Sequence, residues 1–162
     1  MNNEQPPVAI FDLDWSLAES YGLDHLAWKS LAEENGVGVT DEQFHAHFGR
    51  KNRDMIDGMW SGSEKDVPGD QEYKRLSNRK EELFRNHAAA DFPIMDGALE
   101  LLQSLHDAGW RLAVGSSAPK ENVDLTLKHV DKKNLFEAIV TGNDVSHGKP
   151  EPEVFLKAAG LM

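Results

Sequence analysis

The sequence contains no cysteine, which removes disulfides, thiolate metal sites and thiol nucleophiles from its chemistry. That absence suits a reducing compartment, and the expected location is the cytoplasm. No apolar run reaches the length of a membrane span. The opening Met1-Asn2-Asn3-Glu4-Gln5-Pro6-Pro7 lacks a basic region followed by an apolar stretch, so it does not read as a signal peptide. Basic residues are scarce, with 17 Lys and Arg against 28 Asp and Glu for a net charge of -11. Such a surface repels nucleic acid and anionic lipid, so neither a nucleic acid nor a membrane is an expected partner. There is no internal repeat and no low-complexity tract. What is present is 162 residues, 40% hydrophobic and 28% charged, a balance that builds a folded core rather than a disordered chain.

Val8-Ala9-Ile10-Phe11, after Pro6-Pro7, reads as a buried parallel strand that ends at Asp12. A helical section follows. Asp24 is placed to cap a helix with Leu26, Trp28, Leu31 and Ala32 inward and Gly36 at its end. Thr40 and Gln43 have capping-box spacing for a second helix, with Phe44 and Phe48 inward. Residues 53–60 predict a third helix, and residues 71–89 a long charged one burying Tyr73, Leu76, Leu83 and Phe84. From Phe92 the pattern alternates. Asp96 is placed to cap a helix carrying Leu99, Leu101, Leu102 and Leu105, closed by Gly109. Residues 110–114 predict a second strand, Pro119 the start of a helix, residues 136–140 a third strand, and residues 152–159 a last helix stopped by Gly160. Strands alternating with helices predict an α/β fold with a Rossmann-like parallel sheet, into which the helical section is inserted. The expected division is a discontinuous core of residues 1–18 and 92–162, and an insertion of residues 19–91.

Three features carry chemistry. In Phe11-Asp12-Leu13-Asp14-Trp15-Ser16-Leu17, two carboxylates sit at the C-terminal end of a buried strand, where open α/β sheets bind ligands. Close carboxylates repel, which favours a bound cation, and hard oxygens suit magnesium. Val114-Gly115-Ser116-Ser117 puts hydroxyls after the second strand and just before a helix start, where phosphate oxygens are attracted. Gly148-Lys149-Pro150-Glu151-Pro152 fixes a lysine in a constrained loop after the third strand, and such an ammonium stabilises a transferring phosphoryl group. Singly, these also read as a solvated turn, a serine helix cap and an exposed loop lysine. Together they occur in the order one site needs, because all three strand ends of a parallel sheet share one edge. A carboxylate, a hydroxyl, a lysine and a metal there would form a phosphoryl-transfer site.

The segment Phe11-Asp12-Leu13-Asp14-Trp15-Ser16-Leu17 is similar to the first signature of the haloacid dehalogenase-like hydrolases, with Ser116 matching the second and Lys149 the third. Gly148 to Phe155 resembles the third-signature segment of the β-phosphoglucomutase and phosphoglycolate-phosphatase branch. The resemblance implies that the insertion is a helical cap, and that Asp12 attacks phosphorus to give an aspartyl-phosphate. It makes Asp14 general acid and then base, while Ser116 and Lys149 hold phosphoryl oxygens. Mg2+ would be held by Asp12 and Asp14, helped by a backbone carbonyl at Leu13, or at Asp14 two positions past the nucleophile. Ser117, His25, Lys51 and Arg53 would contact a small phosphorylated metabolite, a sugar phosphate or a phosphoglycolate-like compound. A basic stretch at residues 50–53 is also simply a solvated helix start.

The chain departs from that pattern in two ways. Trp15 stands where the family usually has glycine, a residue that permits a tight turn. The family also continues beyond the equivalent of Met162 into a fourth strand and an acidic signature for the metal. The resemblance places that strand beside the first, so the first strand is expected to be an open edge inviting self-association. The expected function is phosphate hydrolysis. The alternatives are a phosphosugar mutase, or an impaired relative that binds phosphorylated ligands or another protein.

Overall fold

The structure, a computed structural model, describes residues 6–89, 92–131 and 134–162. Residues 1–5 and the expected boundary at residue 91 lie outside the described residues. The chain divides into two compact units, Met1–Glu19 with Phe92–Met162, and Ser20–Asp91.

The first unit is a three-stranded parallel sheet in the order β1-β2-β3, formed by β1 (Val8–Phe11), β2 (Arg111–Gly115) and β3 (Phe136–Val140). β1 pairs with β2 from Val8↔Arg111 to Phe11↔Val114, and β2 pairs with β3 up to Gly115↔Val140. The connections are helical: α5 (Ala98–Asp107) precedes β2, α6 (Lys120–Val130) precedes β3, and α7 (Glu153–Leu161) follows it. On one face Leu102, Leu112, Val114, Val123, Val130 and Phe136 pack together with Leu13 and Leu17. Each such side chain contributes about 1.5–3 kcal/mol by leaving water. On the other face Val154 and Ala158 of α7 meet Val140, with Ile10 and Phe155 beside them. Phe155 lies against Gly115, where a Cβ would come within 3.0 Å of its ring, so a side chain at the strand end would have to displace that ring.

The second strand begins one residue later than expected. The Trp110 amide donates to Leu105 O (3.0 Å) and closes α5, while the Arg111 amide donates to Pro7 O (2.9 Å) and opens the ladder. α5 is preceded by Gly97 at φ 80° rather than capped by Asp96. Leu99 and Leu101 lie on its exposed side while Leu102 is buried. Gly160 is a residue of α7, not its stop.

The second unit holds α1 (Tyr21–Asn35), α2 (Asp41–His47), α3 (Asn52–Ser61) and α4 (Asp70–Ala88). α1 starts after Ser20, a turn before the expected Asp24, and ends at Gly36 in the left-handed region. Leu26 is half exposed, whereas Trp28, Leu31 and Ala32 are buried. The capping box forms as spaced: Thr40 Oγ1 accepts from the Gln43 amide (3.1 Å), and Gln43 Oε1 accepts from the Thr40 amide (2.9 Å). α4 buries Leu76, Leu83 and Phe84, and with them Lys80 and Glu81. The Lys80 ammonium pairs with Asp24, lies 3.3 Å from Glu81 Oε1, and stands 5.3 Å above the Trp28 ring. Burial pulls its proton affinity down, but the two carboxylates outweigh this and hold Lys80 above the ordinary lysine value. Asn52 Nδ2 donates to Glu81 Oε1 (2.7 Å) and to Ser77 Oγ (2.8 Å), tying α3 to α4. Among the described residues no helix is long and apolar enough to cross a membrane.

Candidate active site

The apolar run of β1 delivers Asp12 to the C-terminal edge of the sheet, just past the last paired residues Phe11↔Val114. Asp12 Oδ1 accepts from the Leu13 amide at 2.9 Å. Its other oxygen, Oδ2, accepts from Lys149 Nζ at 2.5 Å, across 137 residues of sequence. Both side chains are mostly buried, at 21% and 25% exposure, so solvent screens this charge-assisted bond only partly.

The turn after Asp12 is held by two backbone acceptors, chiefly Leu13 O. Leu13 O receives the amides of Ser16 (3.3 Å), Leu17 (2.9 Å) and Ala18 (2.9 Å), and the Trp15 amide donates to Ala18 O (2.8 Å). The Leu13 carbonyl is thus occupied inside the turn, which leaves the Asp14 carbonyl as the other backbone oxygen the sequence pointed to. Trp15 takes φ 57°, the left-handed conformation that glycine adopts without cost. Its indole is 57% exposed, so it is not buried in the core. Asp14 sits in the same turn, two residues past Asp12, bridged to Ala18.

Ser116 is fully buried at the end of β2. Its amide donates to Val140 O (2.9 Å), and its Oγ accepts from the Ala118 amide (3.1 Å). The hydroxyl thus closes the turn ahead of α6 and keeps its own proton to donate. Ser117 Oγ accepts from the Lys149 amide at 3.2 Å, so the lysine loop is laid against the end of β2. The chains pass so closely that a Cβ on Gly142 would lie 2.3 Å from Ser117 O. Asp144 Oδ2 accepts from Thr141 Oγ1 (2.7 Å) and the Thr141 amide (2.8 Å). The hydroxyl first and the amide second hold its carboxyl below the usual carboxylate range. Glu153 accepts from the amides of Ser146 (2.9 Å) and His147 (2.8 Å), two bonds that hold its carboxyl low as well. The Ser117 and Glu153 ties were not read from sequence. The available signal was a carboxylate at a helix start just after Lys149-Pro150, and it reads as an ordinary first-turn acid.

The other candidates belong to the helical unit. The His25 ring stacks on Phe44, with centroids 4.4 Å apart. Its Nε2 lies 3.1 Å from Asp41 Oδ1 but off the hydrogen-bond direction. Lys51 is exposed at the start of α3. Arg53 pairs with Asp70 (3.1 Å), approaches Asp57 (3.8 Å) and lies over the Tyr73 ring (5.0 Å). Its charge therefore already has partners inside that unit.

The oxygen donors fit a hard cation in part. Asp12 and Asp14 supply two carboxylates in one turn, with the Asp14 carbonyl as the backbone candidate in place of Leu13. Magnesium is commonly held by one or two carboxylates, completed by water and substrate phosphate. No group of three or more carboxylates or histidines suited to a metal forms among the described residues.

Residues 9–160 match the family model of the haloacid dehalogenase-like hydrolases. The chain is 30% identical over 156 residues to the chloroplastic 5-amino-6-(5-phospho-D-ribitylamino)uracil phosphatase of Arabidopsis thaliana, covering 95% of this chain and 41% of that protein. It is 30% identical over 159 residues to the validoxylamine A 7'-phosphate phosphatase of Streptomyces hygroscopicus subsp. limoneus, covering 96% of this chain and 70% of that one. A β-phosphoglucomutase from Clostridium difficile has the same fold, with a TM-score of 0.83 at 21% identity over 97% of this chain and 71% of its own. The chain thus spans less than half of the first relative and about seven tenths of the other two.

Proposed function

Since the chain belongs to the haloacid dehalogenase-like hydrolase family, we propose that it transfers phosphoryl groups from small phosphorylated metabolites to water through an aspartyl-phosphate at Asp12. The contact of Lys149 Nζ with Asp12 Oδ2 carries this reading. A carboxylate nucleophile and a phosphate monoester are both anions, and an ammonium fixed against the nucleophile offsets their repulsion. The named phosphatases among the relatives support the substrate class.

In the first half-reaction an Asp12 oxygen forms a bond to phosphorus while the ester P–O bond breaks. The leaving oxygen takes a proton from Asp14. In the second, water attacks the phosphorus of the aspartyl-phosphate, its proton passes to Asp14, and Asp12 leaves as a carboxylate with release of phosphate. Ser116 donates a hydrogen bond from its hydroxyl to a phosphoryl oxygen, and Lys149 neutralises charge on the group in flight. Mg2+, held by the Asp12 carboxylate and the Asp14 carbonyl, would supply further charge neutralisation at the phosphoryl oxygens and leave the Asp14 side chain free to carry the proton. A phosphosugar mutase would share the first half-reaction and pass the phosphoryl group to a sugar instead.

The test is hydrolysis of p-nitrophenyl phosphate with and without Mg2+. Asp12→Asn keeps the shape but removes the nucleophile, and kcat is expected to fall by at least about a hundredfold. Hydrolysis that persists unchanged in Asp12→Asn refutes the mechanism.

A further inference from the structure

Lys149 reaches Asp12 from a loop with no regular structure of its own between the turn Gly142–Asp144 and α7. A lysine side chain has four rotatable bonds, so a pairing at 2.5 Å requires a backbone that is itself held. One tie is at the lysine itself, the Lys149 amide on Ser117 Oγ at 3.2 Å. The stronger tie comes from Glu153, whose two carboxylate oxygens each take one amide, Ser146 at 2.9 Å and His147 at 2.8 Å. The His147 ring closes on it as well, with Nδ1 3.1 Å from Oε2. Between the bound His147 amide and the bound Lys149 amide lies only Gly148, whose carbonyl accepts from the Glu151 amide at 3.2 Å.

The direction of these bonds is informative. An acid that serves only its own helix lies near the helix's free amides and its dipole. Glu153 instead reaches back seven and six residues, to amides upstream of Lys149. Charge-assisted bonds to two successive amides fix both the position and the tilt of that peptide.

We propose that Glu153 is a positioning residue for Lys149, its carboxylate anchoring the loop from which the ammonium meets Asp12. The role rests on reading Asp12 and Lys149 as the reacting pair. The anchoring amides keep Glu153 an ionised acceptor through neutral pH, so the anchor is in place under working conditions.

The experiment uses the full chain and the variants Glu153→Ala and Glu153→Gln. Lysine reductive dimethylation with formaldehyde, read by mass spectrometry, compares Lys149 with Lys120, which is 63% exposed and serves as the internal reference. Amide hydrogen exchange reports on residues 146–149. In Glu153→Ala the Lys149 modification rate is expected to rise at least about fivefold relative to Lys120, and exchange across the loop at least about tenfold. Glu153→Gln keeps the side-chain volume and one acceptor oxygen, so it falls between and also covers a failure of the alanine variant to fold. With p-nitrophenyl phosphate and Mg2+, kcat falls by about tenfold or more while KM stays within about twofold. Lys149 modification and loop exchange within about twofold of wild type in both variants overturn the proposal. So does a lower urea midpoint with both readouts unmoved, which would make Glu153 a helix-start acid. Neither readout needs turnover, so a chain that hydrolyses nothing counts against phosphoryl transfer while the anchor is still decided by labelling.

Discussion

Replacing Lys80 with methionine removes the cation from the acid cluster inside the helical unit. Lys80 is 5% exposed, and its partners Asp24 and Glu81 have side chains only 16% and 10% exposed. Methionine preserves most of the length and the apolar contact with Trp28 and Phe84, so the packing loss is about 1 kcal/mol or less. The electrostatic loss is larger. Removing one partner of a buried ion pair costs about 3–5 kcal/mol, because the remaining charge is left without compensation. Here the residual exposure of Asp24 and the Asn52 amide on Glu81 soften that cost, which puts the expectation at the lower end, about 3 kcal/mol at pH 8. With a urea slope of about 1–3 kcal/mol/M, the midpoint of far-UV circular dichroism falls by roughly 1–3 M.

The pH dependence separates this explanation from simple packing. In wild type, Lys80 is raised above the ordinary lysine value. Its contribution is therefore complete below that ordinary value and is lost only as pH climbs through the folded one. Across pH 5–8 it is flat. In Lys80→Met the two stranded carboxylates relieve their repulsion by taking up a proton, so the variant recovers stability as pH falls. The gap between the two proteins should narrow from pH 8 to about pH 5. A loss below about 1 kcal/mol at pH 8, or a gap that stays constant with pH, refutes the reasoning.

Trp15→Gly relieves a left-handed residue, a gain of about 1–2 kcal/mol, offset by about 0.5–1 kcal/mol of extra freedom in the unfolded chain. The urea midpoint should rise slightly, and a fall would mean that the indole makes contacts worth more than the strain. Gly142→Ala drives a Cβ to within 2.3 Å of Ser117 O, a clash with backbone that costs about 2 kcal/mol or more. It should also loosen the Lys149 loop, visible as faster amide exchange at residues 146–149, and an unchanged midpoint and exchange would show that the two strand ends are not held as close as described.

The strands, Asp12, Ser116 and Lys149 were legible because each is announced by its own neighbours. An apolar run ending in an acid reads as a strand delivering that acid to an edge, whatever lies elsewhere in the chain. The same holds for Thr40 and Gln43, whose capping bonds span three residues, and for Trp15, whose turn demands a positive φ that the family's glycine already signals. What stayed hidden depends on partners distant in sequence or on the direction of a bond. Lys80 sits in a run of charges that reads as a solvated helix face. Only the packing of α1 against α4 brings Asp24 onto it and turns an apparent surface lysine into a core one. Asp24 was misread as a cap for the matching reason, since its carboxylate is spent on that lysine. Glu153 is subtler, because a carboxylate at a helix start has the same sequence signature whether it bonds forward into its helix or back into the loop. The Leu13 carbonyl follows the same logic on the backbone, since only the turn's closure decides whether its lone pairs face inward or out. Residue type is thus enough to say which groups are able to do chemistry. Which groups hold them in place is decided by closures between segments, and for Lys149 those closures are made by a serine and a glutamate that lie inside or beside the signature segments but whose bonding partners residue type does not reveal.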